Sequence, residues 1–154
     1  MLRIANRLAE LGIALPEQSA PVANYVPYTL SGRIVHVSGQ LSKGPGRDVK
    51  GRVGVDVAMA DAVAGARLCG ISLLAQFRAA CGGDLDRVAR VLRLGGYVQA
   101  GPTFDAIPAV INGASDLMVD IFGDRGRHAR SAVGVYRLPL NYAVEIDAVI
   151  EIRI

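Results

Sequence analysis

Tryptophan is absent from this 154-residue chain, and aromatic residues of all kinds make up 5% of it. Cysteine and histidine occur twice each. Cys69 and Cys81 form no CxxC pair, and both fall in a helical apolar run, so buried free thiols are expected rather than a disulfide framework. His36 and His128 stand far apart, which leaves a metal site with no ligand spacing to rest on. A dominant charge is missing too: 17 Lys+Arg against 14 Asp+Glu give a net +3. Arg87, Arg90 and Arg93 come nearest to a basic cluster, but no aromatic residue interleaves with them. A nucleic-acid groove is therefore not signalled. No apolar stretch is long and uncharged enough to span a membrane. Arg3, Arg7 and Glu10, without a continuous apolar core, argue against a signal peptide, and a soluble cytoplasmic protein is expected.

What is present is apolar side chain. It makes up 51% of the chain against 20% charged, enough for one domain over residues 1–154 with a real core. This is more apolar surface than one small core needs to hide, so a buried subunit interface in a cyclic oligomer is expected.

Residues 1–20 read as a helical extension, with Leu2, Ile4, Ala5, Leu8 and Leu11 as its stripe and Gly12 as its stop. Pro16, Pro21 and Pro27 break up an irregular lead-in. Strands are predicted over Tyr25–Leu30 and Arg33–Val37, joined tightly at Ser31-Gly32, with Ser38-Gly39-Gln40 ending the second. Four glycines and Pro45 in 43–54 predict a mobile loop. A helix is predicted from Val55 to about Ala80, with Asp56 and Asp61 near its start and Gly82-Gly83 as its stop. Residues 88–98 alternate as a strand, which puts Arg90 and Arg93 on opposite faces. A second helix starts near Asp105, its candidate N-cap, and buries Val110, Ala114, Leu117, Met118 and Ile121. Strands through Arg130 and from Val144 to Ile152 follow, separated by a turn at Leu138-Pro139. The order ββαβαββ predicts an α+β fold, a mixed or antiparallel sheet with two long helices packed on one face.

Arg130 stands at the mouth of one apolar strand, and Glu145 lies in the apolar pattern of the next. A guanidinium is always charged and its planar fork matches a carboxylate, so an Arg130 that faced a pocket would hold a small organic acid. Blander readings exist for each. Arg130 also fits an exposed strand cation or an interface salt bridge, and Glu145 a solvent-facing residue or the partner of an arginine across the sheet. Ser38 and Ser131 have no His and Asp in a triad-like arrangement, so a serine hydrolase reads poorly.

The chain from about Pro21 onward resembles the Rid (reactive intermediate deaminase) family, also called YjgF-like and often labelled L-PSP endoribonuclease. Ala23-Asn24-Tyr25 is similar to that family's Gly-Pro-Tyr opening, and Val37-Ser38-Gly39-Gln40 to its Ser-Gly-Gln strand end. Asn112 sits where the family has an Asn in its second helix. Ala129-Arg130-Ser131, Arg137-Leu138-Pro139 and Val144-Glu145-Ile146-Asp147-Ala148 are similar to its C-terminal signature. The resemblance implies a chorismate-mutase-like fold and a homotrimer with clefts between subunits. It also implies hydrolysis of amino-acid-derived enamines and imines to 2-oxo acids and ammonia. It casts Arg130 as the carboxylate clamp and Glu145 as the residue that orients water or shuttles protons. Tyr25, Ser38, Gly39, Asn112 and Ala132 then line the substrate. No cofactor is implied, and the only lysines, Lys43 and Lys50, lie in the predicted loop, away from any Schiff-base role.

Three departures mark a divergent subgroup: Ala132 where the family often has Cys, the 43–54 segment with the N-terminal helix, and Ala23-Asn24 in place of Gly-Pro. They keep open a non-catalytic, regulatory binder of small carboxylates. The endoribonuclease of the family label and a chorismate mutase are weaker alternatives.

Overall fold

The computed structural model describes residues 3–17 and 23–154. Leu2 and Pro21, both given roles above, lie outside them. Helix α1 spans Ile4–Glu10, and Gly12 ends it at φ +67°. Ile4 and Leu8 are buried as expected, whereas Ala5 is exposed, so the stripe is narrower than the sequence suggested.

Strands β1 (Tyr28–Ser31) and β2 (Ile34–Leu41) form the hairpin. Its two-residue turn is Gly32-Arg33, with Gly32 at φ +61°, rather than Ser31-Gly32. Tyr25 lies before the first strand instead of opening it. Ser38-Gly39 does not end β2. The strand bulges there, its register shifting between Val37 and Gln40, and continues to Leu41.

The 43–54 segment is not a loose loop. It makes a short hairpin, β3 (Lys43–Gly44) with β4 (Arg47–Asp48), and then buries Val49 and Val53. Gly51 donates its N–H to the Asn141 carbonyl, and Val53 donates to that of Gln99. The segment is a clasp across the end of the sheet, because two valines and paired backbone outweigh the freedom of its glycines.

Helix α2 (Met59–Ala80) starts four residues later than predicted. Asp56 instead closes a turn, its Oδ2 accepting from Arg52 N–H at 3.0 Å. Strand β5 is Val88–Gln99 and helix α3 is Ile107–Phe122. Asp105 does not cap α3; Ala106 holds that position without a side-chain bond. The predicted stripe of α3 is buried throughout. Strands β6 (Ala129–Val135) and β7 (Val144–Ile152) complete the chain.

The five long strands make one mixed sheet in the order β1-β2-β7-β5-β6, with β6 parallel to β5 and every other pair antiparallel. Along β7, Val144, Ile146, Ala148, Ile150 and Ile152 are buried towards α2 and α3, while Glu145, Asp147, Val149 and Glu151 lie on the open face. The fold is therefore the predicted α+β sandwich, helices on one side of a mixed sheet. The two helices touch at small residues. A side chain on Gly113 would run into the Val63 carbonyl, and one on Gly70 would meet Leu117 at 2.9 Å. Bulges in β5 undo one expectation. Arg90 pairs with Glu151 and Arg93 with Val149, so both face the open side, because Leu92 is an extra residue in the ladder.

Candidate functional site

Arg130 sits on the edge strand, opposite Leu94 in the parallel ladder, and so faces the helical side. Its Nη1 donates to Asn112 Oδ1 at 2.7 Å and to Ser115 Oγ at 3.1 Å. Both acceptors come from α3, one helical turn apart on the same face. Nη1 carries two hydrogens, and these bonds use both. The Nε–Nη2 edge is then the remaining fork. Among the described residues no carboxylate lies within ion-pair distance of Arg130. Ala132, two residues on, packs partly buried against the core.

Ser115 was missed in the sequence. It also contacts His128, Oγ to Nε2 at 2.9 Å, and His128 Nδ1 lies 2.6 Å from the Gly126 carbonyl. Burial holds the His128 pKa below its usual 6.5, and the Arg130 charge pushes in the same direction. The available signal was Ser115 at three residues from Asn112, which shares its helix face.

Glu145 lies on the other face of the sheet. It pairs across β7 and β5 with Tyr97, and half-burial followed by the neighbouring Asp147 raises its pKa from 4.5. Gly39 in the β2 bulge makes room for it, since a side chain there would come within 2.8 Å of Glu145 Oε1. Ser38 donates Oγ–H to the Val26 carbonyl at 2.7 Å, and its N–H bonds the Pro27 carbonyl. These bonds draw the lead-in segment alongside the bulge, and Tyr25 stands there 55% exposed. The arginine-paired carboxylate on this face is Asp147, not Glu145. Arg93 Nη1 approaches Asp147 at 3.6 Å, and Tyr97 donates to its other oxygen at 3.2 Å.

The predicted site residues thus fall into two groups. Arg130, Asn112 and Ala132 form one, joined by Ser115 and His128. Glu145, Gly39, Ser38 and Tyr25 form the other, around the β2 bulge. Strand β5 separates the groups, and they face opposite sides of one sheet.

Several other cations are engaged elsewhere. Arg87 donates to the Cys81 and Arg153 carbonyls and Arg90 to that of Arg127, which dissolves the apparent 87–93 cluster. Lys50 lies over the Tyr142 ring, and Arg52 and Arg137 over Tyr136, a basic-aromatic corner that the sequence did not reveal. Cys69 is fully buried, with its thiol pKa raised first by that burial.

A family model described as "YjgF/chorismate mutase-like, putative endoribonuclease" matches residues 5–152. The chain belongs to this family. It is 47% identical over 153 residues to protein TCP17 of Trypanosoma cruzi, covering 98% of this chain and 95% of that one. Among solved structures it is similar to Atu1372 of Agrobacterium tumefaciens, described as of unknown function, at 49% identity and a TM-score of 0.90. That match covers 97% of this chain and 92% of the other. A "putative endoribonuclease" of Shewanella oneidensis is 32% identical at a TM-score of 0.93, covering 98% and 100%. The YjgF protein of E. coli superposes less well, at 26% identity and 0.59, covering 87% and 92%. That contrast fits a subgroup of the YjgF family in which extra elements accompany the shared sandwich. No helix among the described residues is long and apolar enough to cross a membrane.

Proposed function

We propose that this YjgF-family protein hydrolyses small enamines and imines derived from amino acids, releasing 2-oxo acids and ammonia. The observation that carries the reading is the Arg130 fork. One nitrogen is pinned by two neutral acceptors, no carboxylate among the described residues pairs with it, and the Nε–Nη2 edge is left for a ligand. A carboxylate held bidentately there fixes the adjacent C=N carbon.

The reaction needs little more. Water adds to that carbon as the general base passes one of its protons to the imine nitrogen, and the tetrahedral carbon then expels ammonia as the remaining hydroxyl proton moves to the departing nitrogen and the carbonyl forms. Glu145 suits this exchange, since burial raises its pKa towards the range where it both accepts and returns a proton. Within one chain it cannot reach the Arg130 ligand, because the sheet stands between them. The active cleft therefore combines Arg130 of one copy with Glu145, Gly39 and Tyr25 of another. A cyclic homotrimer, as the family resemblance implied, supplies three such clefts.

Ala132 at the family's cysteine position favours a second reading, a carboxylate-binding protein without turnover. One assay separates the two. Ammonia and 2-oxo acid release is measured from imines generated in situ from amino acids, with binding of the 2-oxo acid followed by calorimetry. Release that falls in Arg130→Ala supports the deaminase. Binding without release supports the second reading, and unchanged release by Arg130→Ala overturns the assigned clamp.

A further inference from the structure

Arg130 carries only donors, so Ser115 Oγ must accept from it. His128 Nδ1 faces a carbonyl, which only accepts, so Nδ1 carries a hydrogen. In the neutral ring Nε2 is then the acceptor, and the Ser115 hydroxyl donates to it. Every hydrogen in the chain Arg130 to Ser115 to His128 to Gly126 therefore runs one way. Burial favours the neutral ring that this order requires. Gly126 is itself locked, since a side chain there would run into the Met118 carbonyl. The relay thus ends on the closely packed turn that follows α3.

We propose that His128 and Ser115 are positioning residues that hold Arg130 with its Nε–Nη2 edge towards the ligand. Without the acceptor on His128, the Ser115 hydroxyl is free to turn and offer its hydrogen to Asn112 Oδ1, in competition with Arg130. The guanidinium then shares its Asn112 acceptor and loses the fixed hydroxyl orientation that holds it. The proposal rests on Arg130 being the carboxylate clamp, and it adds two residues that lie outside the matched motif.

The test uses the intact protein, His128→Phe, Ser115→Ala and His128→Gln, whose amide oxygen can replace the Nε2 acceptor. Nitrogen NMR should find His128 protonated at Nδ1. Guanidinium rotation at Arg130 should quicken in His128→Phe and Ser115→Ala and slow again in His128→Gln. KM for the imine should rise roughly tenfold in the first two, the size of one hydrogen bond from an ionised donor, with kcat within about threefold. The double variant should be no worse than either single one. An Nε2-protonated His128, or unchanged Arg130 rotation in both single variants, overturns the relay. If the parent neither binds 2-oxobutanoate nor turns over imines, the proposed function fails, while the NMR measurements still decide the relay.

Discussion

Arg130 has two neutral acceptors on one of its nitrogens, whereas Glu145 has a glycine against it and a second carboxylate beside it. The first group is built on an edge strand and a helix, facing the helices. The second is built on a bulge and an inner strand, facing the open side. One environment fixes a charge that cannot be lost; the other makes a charge easy to lose. A clamp needs the first and a proton carrier the second. On the proposed function neither half is a site by itself, and the chemistry would need two copies to meet.

The comparison can be broken most sharply by removing each charge. Arg130→Ala should lower kcat/KM about a thousandfold, with much of the loss in KM, because it releases the substrate from its fixed position. Glu145→Gln should lower kcat about a hundredfold and leave KM nearly unchanged. Steady-state kinetics on the two variants checks both, and the reverse partition would exchange the roles.

A smaller effect should come through backbone room. Gly39→Ala places a carbon against Glu145 Oε1, a flexible side-chain end that can move aside. Activity should fall about tenfold or more while the melting temperature barely changes.

Stability should separate the halves in another way. Gln99 is fully buried and bonds Leu138 N–H, the Gly51 carbonyl and Asn141 Oδ1, tying the clasp to the turn before β7. Gln99→Leu orphans these groups and should cost about 2–3 kcal/mol in denaturant unfolding. The tautomer of His128 on the arginine side should not change.

The smallest expected effect is in pH. The Glu145 pKa is raised in the fold, so its ionised form costs stability above that pKa, and the cost disappears as pH falls towards 4.5. The His128 pKa is lowered, so the unfolded chain takes its proton first and stability declines as pH falls below 6.5. Glu145→Gln should remove the first slope and His128→Phe the second, as read by thermal melts across pH.

The sandwich was legible in the sequence because α2, α3 and β7 carry regular apolar periods. Element edges were less so. The start of α2 turns on Asp56 closing a local turn with Arg52 instead of opening the helix, and the length of β2 on a bulge against the distant β7. The clasp misled because glycine spacing signals freedom, while Val49 and Val53 are buried by tertiary contacts. Arg130, Asn112 and Glu145 were visible as motif positions. Their division between two faces was not, since it depends on strand order. Ser115 carried no motif and emerges from geometry alone, while His128 stood out only as a sequence neighbour of Arg130.

The central claim is that a working cleft takes its arginine from one copy and its glutamate from another. Inactive Arg130→Ala and Glu145→Gln proteins, unfolded and refolded together, test it directly. In a randomly mixed cyclic assembly about one quarter of the sites regain both residues, and imine hydrolysis should recover to about that fraction of the parent. A mixture no more active than either variant alone, with mixed assemblies confirmed by mass, would contradict it.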